Sequence, residues 1–255
     1  AKKAKKIIVN SIATEIMLIK KFKISEDKIK LAYYGFRDPK IKKKNIDNKN
    51  IQVGLIARLE SVKGAHIFIE AANILREKNI DFLIGGDGHL ENLLKKLSKN
   101  NNKVKFVGNV SNPFDFIKNL DILVVPSIRE PLGIVNIEAG LCKIPVIATN
   151  IDGIPEVVVN NYSGFLINPT KKINYKYSRG LPPLPNLVIN PNTFELDKPK
   201  ELDPKKLSNS ILLLANNKEL RLEYGHNLYE SVYKKFSIKN YFERLEEIYQ
   251  NLELD

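Results

Sequence analysis

Apolar positions along the chain fall into short runs that alternate with stretches of helical spacing. Residues 51–57 form an apolar run of strand length. Residues 64–78 then carry Ile67, Ala71, Ile74 and Leu75 at the spacing of one helix face. The alternation continues with strand 81–85 before Gly86-Asp87-Gly88, helix 90–97 and strand 104–107 up to Gly108. A short helix at 113–119 has Pro113 suited to its first turn. Strand 121–126, helix 133–142, strand 144–149 and a short strand ending at Leu166-Ile167 follow. Strands joined by helices over short loops predict a parallel sheet covered on both faces, with right-handed crossovers. The fold class is therefore α/β, a Rossmann-like doubly wound parallel sheet. Ligands in such sheets sit at the carboxyl ends of the strands.

The flanks read differently. Residues 5–10 and 28–33 are strand-like around a helix-like 12–22, and a lysine-rich linker, 38–50, follows. Two strands and a helix cannot bury both faces alone. They are expected to need a partner sheet from outside the chain and to leave an apolar patch. Six of the thirteen prolines lie between Pro182 and Pro204. Residues 171–204 thus read as a loop excursion from the carboxyl end of a strand, surface decoration in preference to a lid. Residues 205–255 read as two or three amphipathic helices, with Tyr229, Val232, Tyr233, Phe236, Tyr241, Leu245, Ile248 and Tyr249 at packing positions.

Composition narrows the function classes. Hydrophobic residues make up 43% and charged residues 27% of 255, within the globular range. Of the net charge of +12, residues 1–50 supply +10 from fourteen Lys and one Arg against five acidic residues. No arginines or aromatics interleave these lysines as single-strand binders use them, so no nucleic-acid partner is expected. A solvated basic face is the simpler reading, and a weak contact with an anionic membrane surface the other. No apolar run approaches the eighteen or so residues of a membrane span. One cysteine, Cys142, excludes an internal disulfide and fits a reducing compartment. The expected location is the cytoplasm, with at most a peripheral contact at the inner face of the membrane. Three scattered histidines give no metal-ligand spacing.

The chemistry concentrates in two segments. Glu130 and Glu138 bracket Glu130-Pro131-Leu132-Gly133-Ile134-Val135-Asn136-Ile137-Glu138, directly after a strand. A strand running into a glycine at a helix start presents free N–H groups and the positive end of a dipole, an anion site. Carboxylates beside it suit sugar or ribose hydroxyls. After the strand 51–57, Arg58 and Lys63 bracket a short loop before another helix start. Arg supplies a fork of donors for phosphate oxygens and Lys a mobile point charge. Two cations without a carboxylate cage for magnesium suit a diphosphate neutralised without metal. Hydroxyls plus phosphates imply a nucleotide sugar.

Residues 51–168 resemble the carboxyl-terminal half of family 4 retaining glycosyltransferases, which have the GT-B fold of two facing Rossmann-like domains. The resemblance runs through Arg58, Lys63-Gly64, Gly86-Asp87-Gly88, Phe106-Val107-Gly108-Asn109-Val110 and the 130–138 segment. It continues in Pro145-Val146-Ile147-Ala148, Asp152-Gly153-Ile154-Pro155-Glu156 and Ser163-Gly164-Phe165-Leu166. It implies that Arg58 and Lys63 hold the diphosphate and that Glu138 accepts from ribose hydroxyls and Glu130 from the donor sugar. It further implies that backbone N–H groups of Leu132, Gly133 and Ile134 add contacts, and that Gly108 and Val110 line the base pocket. Three positions depart from the pattern. Ala57 and Asp152 stand where glycine is common, and Asp152 is expected either to repel diphosphate or to bind a sugar hydroxyl. Lys143 replaces a helix-terminating glycine.

The resemblance also divides the chain into four pieces. Residues 1–50 are a remnant of the N-terminal acceptor domain plus linker, onto which the last helix crosses back. Residues 51–170 bind the nucleotide sugar, 171–204 are a Pro-rich insertion, and 205–255 are C-terminal helices. The expected function is the donor-binding part of a metal-independent retaining glycosyltransferase with no cofactor beyond its donor. It would be inactive without an N-terminal domain, which a separate domain or subunit would supply. The alternative is a non-catalytic nucleotide-sugar-binding or partner-docking module.

Overall fold

The structure, a computed structural model, describes residues 4–41, 49–177 and 183–253. Part of the expected linker 38–50 therefore lies outside the described residues, as does part of the insertion. An N-terminal unit comprises β1 (Ile7–Val9), α1 (Ile12–Lys20) and β2 (Ile29–Leu31). The central domain runs β3 (Ile51–Ile56), α2 (Ala65–Ile74), β4 (Ile80–Gly85), α3 (Glu91–Leu97), β5 (Val104–Gly108) and α4 (Pro113–Ile117). It continues β6 (Ile122–Val125), α5 (Ile134–Leu141), β7 (Val146–Thr149) and β8 (Gly164–Ile167). Then come β9 (Val188–Asn190), β10 (Glu195–Asp197), α6 (Pro204–Asn216), α7 (Lys218–Lys235) and α8 (Ile238–Glu253).

Strands β3 to β8 form one parallel sheet in the order β5-β4-β3-β6-β7-β8. Both faces are covered, as the continuous apolar runs require. Alternate residues of β6 go to opposite sides. Ile122 and Val124 pack with α2, α3 and α6, whereas Leu123 and Val125 pack with α4, α5 and α7. The chain moves outward from β3 through β4 and β5, then returns to β6 on the other side of β3. That reversal makes β3 and β6 the switch point, where the loops part and a crevice opens. Those loops carry Arg58–Lys63 and Ser127–Glu130.

The N-terminal unit makes contacts within this chain, while its two-stranded sheet gains no further strand among the described residues. β1 and β2 pair with each other in parallel, Ile7 opposite Ile29 and Val9 opposite Leu31. Ala13 and Met17 of α1 pack against Ile189 of β9 and Leu196 of β10. The carboxylate of Glu156 accepts from the N–H groups of Ile12 and Ala13, both at 2.9 Å, and from Tyr33 Oη at 2.7 Å. A negative charge there also meets the positive end of α1. Helix α8 crosses back, and Arg244 Nε donates to the Leu31 carbonyl at 3.0 Å. Ile8 remains 41% exposed.

The insertion is more than a loop. β9 and β10 form an antiparallel hairpin, and Val188, Ile189 and Tyr177 are buried. Lys143, past the end of α5, takes the left-handed conformation expected of the missing glycine, φ 57°. Such a residue costs on the order of 1 kcal/mol. Among the described residues, no helix is long and apolar enough to cross a membrane.

Removing the Glu156 carboxylate leaves two N–H groups and a hydroxyl without their acceptor. Glu156→Ala is expected to cost about 2 kcal/mol. Urea unfolding should show a lower midpoint at an unchanged slope.

Candidate active site

A cleft of about 410 Å³ opens at the carboxyl ends of β3 and β6. Two glycines shape it. Gly64 has φ 69°, and a Cβ there would lie 2.0 Å from the Pro126 carbonyl oxygen. Only glycine lets the loop after β3 lie against the loop after β6 at this approach. Gly133 has φ 84° and precedes α5 without a side chain to cap it. Among the described residues, the N–H groups of Leu132, Gly133, Ile134 and Val135 have no protein acceptor. They line the cleft wall and carry the positive end of the α5 dipole.

The charged groups gather around that wall. Lys63 Nζ lies 2.7 Å from the Glu130 carboxylate, joining the two loops. Glu130 is 9% exposed, and Ser127 Oγ lies 3.4 Å from the same oxygen. Arg58 reaches into solvent at the mouth and contacts Glu60 at 3.2 Å. Each of Arg58, Lys63, Glu130, Leu132, Gly133 and Ile134 lines the one cleft.

Glu138, Gly108 and Val110 do not line it. Glu138 sits one turn into α5, and burial raises its pKa above the ordinary carboxylate value. Among the described residues its carboxylate has no hydrogen-bond or ion-pair partner. Gly108 ends β5 with φ 76° and open space where a Cβ would stand, and its carbonyl accepts from the Gly86 N–H at 2.7 Å. Val110 packs beside Gly85. Gly108 and Val110 stand at the carboxyl end of β5, two strands from β3 along the same edge.

Asp152, expected to meet the ligand, does not line the cleft. It is 5% exposed and takes φ 44°. One oxygen accepts from the Glu130 N–H at 2.9 Å and the other from the Ile189 N–H at 2.6 Å. Burial raises its pKa, against the opposing pull of these donors and of Arg129. Asn10 and Tyr34, from the N-terminal unit, form a further wall of the cleft. Sequence reasoning passed over both, though Asn10 follows a strand-like run as the other site residues do. Asn136 was also passed over. It is fully buried below Gly133, with neither amide atom hydrogen-bonded.

The parallel sheet places this cleft at its switch point, where open α/β sheets take their ligands. Residues 36–176 match the family described as "Glycosyl transferases group 1". The chain belongs to that family. The capsular polysaccharide biosynthesis glycosyltransferase CapM of Staphylococcus aureus is 28% identical over 236 residues, covering 90% of this chain and 51% of CapM. Among solved structures, Anabaena HepE in complex with UDP and glucose superposes with a TM-score of 0.76 at 22% identity. That match covers 97% of this chain and 64% of HepE. Sucrose-phosphate synthase from Thermosynechococcus elongatus gives a TM-score of 0.75 at 20% identity, with 98% and 59% coverage. The fold is that of GT-B glycosyltransferases. The chain spans about half the length of CapM, the first of the curated relatives it matches.

Proposed function

We propose that this chain carries the donor site of a family 4 retaining glycosyltransferase, which takes a nucleoside-diphosphate sugar without a metal ion. The observation that carries the reading is the uncapped start of α5, with four N–H groups that have no acceptor among the described residues, facing Lys63 and Arg58 across one cleft. Fixed N–H donors, a fork of guanidinium donors and an ammonium together match a diphosphate. Lys63 has three donors, so it can hold Glu130 and a phosphate oxygen at once. Glu130 then accepts from a hydroxyl of the donor sugar. Glu138, on the next turn of α5, accepts from the ribose hydroxyls, and Gly108 and Val110 border the base.

In transfer, negative charge grows on the departing diphosphate. Donors already aimed there lower the barrier because their stabilisation increases as the charge develops. Retention at the anomeric carbon and the metal-free reaction rest on the resemblance of residues 51–168. HepE holds UDP and glucose, and for this chain we carry over only the class, a nucleotide sugar. We place the protein in the cytoplasm. Transfer belongs to the whole enzyme, so the test is donor binding.

Calorimetric titration with UDP, GDP and ADP, without added metal, should show binding of one of the three. Glu138→Ala should weaken that binding by about tenfold, the worth of a hydrogen bond to a charged group. No binding at millimolar concentrations of any of them would overturn the reading in favour of a docking module.

The pH dependence has a defined sign. Ribose hydroxyls donate to the ionised carboxylate, and Glu138 starts from a raised pKa. Affinity should be full above that pKa and fall as pH drops through it, beginning at a higher pH than for an ordinary carboxylate. Glu138→Gln should flatten the profile. An unchanged profile in Glu138→Gln would assign the titration elsewhere.

A further inference from the structure

Residue 152 accepts a strained backbone where glycine would be free of strain, and its carboxylate is buried. That combination asks what the side chain does. Its two oxygens are both used, on N–H groups 22 and 37 residues away in the chain. The first belongs to Glu130. The neighbouring Gly153 N–H returns a bond to the Glu130 carbonyl at 3.2 Å. Asp152-Gly153 thus grips the Glu130 backbone by both its donor and its acceptor. The second N–H belongs to Ile189 of β9, which packs against Ala13 and Met17 of α1. One carboxylate therefore ties the backbone of the residue that ion-pairs Lys63 to the insertion and, through it, to the N-terminal unit.

The other end of the insertion reaches the opposite loop. The Tyr177 carbonyl accepts from Ser61 Oγ, which lies between Arg58 and Lys63. The Tyr177 hydroxyl donates to Glu70 at 2.8 Å, and its ring stacks on buried His66 at 4.2 Å. Both loops that form the Lys63–Glu130 pair are therefore anchored in residues 171–204.

We propose that Asp152 is a positioning residue for Glu130, and that it makes the insertion part of the donor site. It touches no substrate. It fixes the backbone of Glu130, so that the carboxylate stays within reach of Lys63 and of a sugar hydroxyl. The effect on ligand rests on the donor-site reading above. The backbone grip does not.

The test is Asp152→Gly, which removes the carboxylate and also relieves the left-handed conformation. Amide hydrogen exchange followed by NMR on the unliganded protein reads the grip directly. At least tenfold faster exchange at both Glu130 and Ile189, with exchange in β3 and β6 unchanged, is the expected result. Faster exchange at Ile189 alone would overturn the proposal, because Asp152 would then merely anchor the hairpin. If Asp152→Gly does not fold, Asp152→Asn keeps the shape but can accept only one of the two bonds. It should speed exchange at Glu130, and an unchanged rate at Glu130 would overturn the proposal. A second arm measures affinity for UDP-glucose. Asp152→Gly should weaken it several-fold, and by no further factor in a Glu130→Ala background. Equal losses in both backgrounds would refute action through Glu130. Failure of the wild-type chain to bind UDP-glucose would count against that donor, and the exchange arm would still decide the role of Asp152.

Discussion

The ion pair between Lys63 and Glu130 is the contact around which the site is organised. It spans the switch point, joining the loop after β3 to the loop after β6 where the sheet's connections part. Without it, two like-facing loops would leave a cation and a carboxylate partly buried and unmatched, which is costly. With it, the free end of α5 is held beside a cation, and the cleft offers one strongly positive wall and one acceptor. The glycines follow from this demand. Gly64 permits the contact with the Pro126 carbonyl, and Gly133 leaves the α5 N–H groups uncovered.

A second layer of contacts supports the first from a distance in sequence. Glu156 caps α1 and holds Tyr33, so the N-terminal unit is fastened to the segment that follows β7. Asp152, four residues earlier, fastens Glu130 to the hairpin. One short stretch, 152–156, therefore links the cleft, the insertion and the N-terminal unit. Asn10 and Tyr34 reach the cleft because of that fastening.

The parallel sheet was legible because strands buried on both faces write themselves as unbroken apolar runs, and each helix between them keeps one apolar face. The bounds of the strands read from the sequence agree with the structure to within about two residues, β8 included. The cleft residues Arg58, Lys63, Glu130 and 132–134 were legible for a related reason: each follows a strand at its carboxyl end. The hairpin was not. Val188-Ile189-Asn190 and Glu195-Leu196-Asp197 are too short to show alternation, prolines surround them, and their packing partner α1 lies some 170 positions away. The role of Asp152 was hidden because it accepts from backbone N–H groups, which leave no mark in the identities of Glu130 and Ile189. Sequence suggested a repelling or sugar-binding carboxylate, and burial against two donors gives a structural one.

The central claim is that the bare start of α5 receives the diphosphate. Backbone amide NMR during a titration with UDP tests it most directly. The account predicts that the largest shifts fall on Leu132, Gly133 and Ile134, with smaller ones at Lys63 and Gly64. Saturable binding with those amides unmoved, and shifts gathered on the lysine-rich N-terminal unit instead, would contradict it.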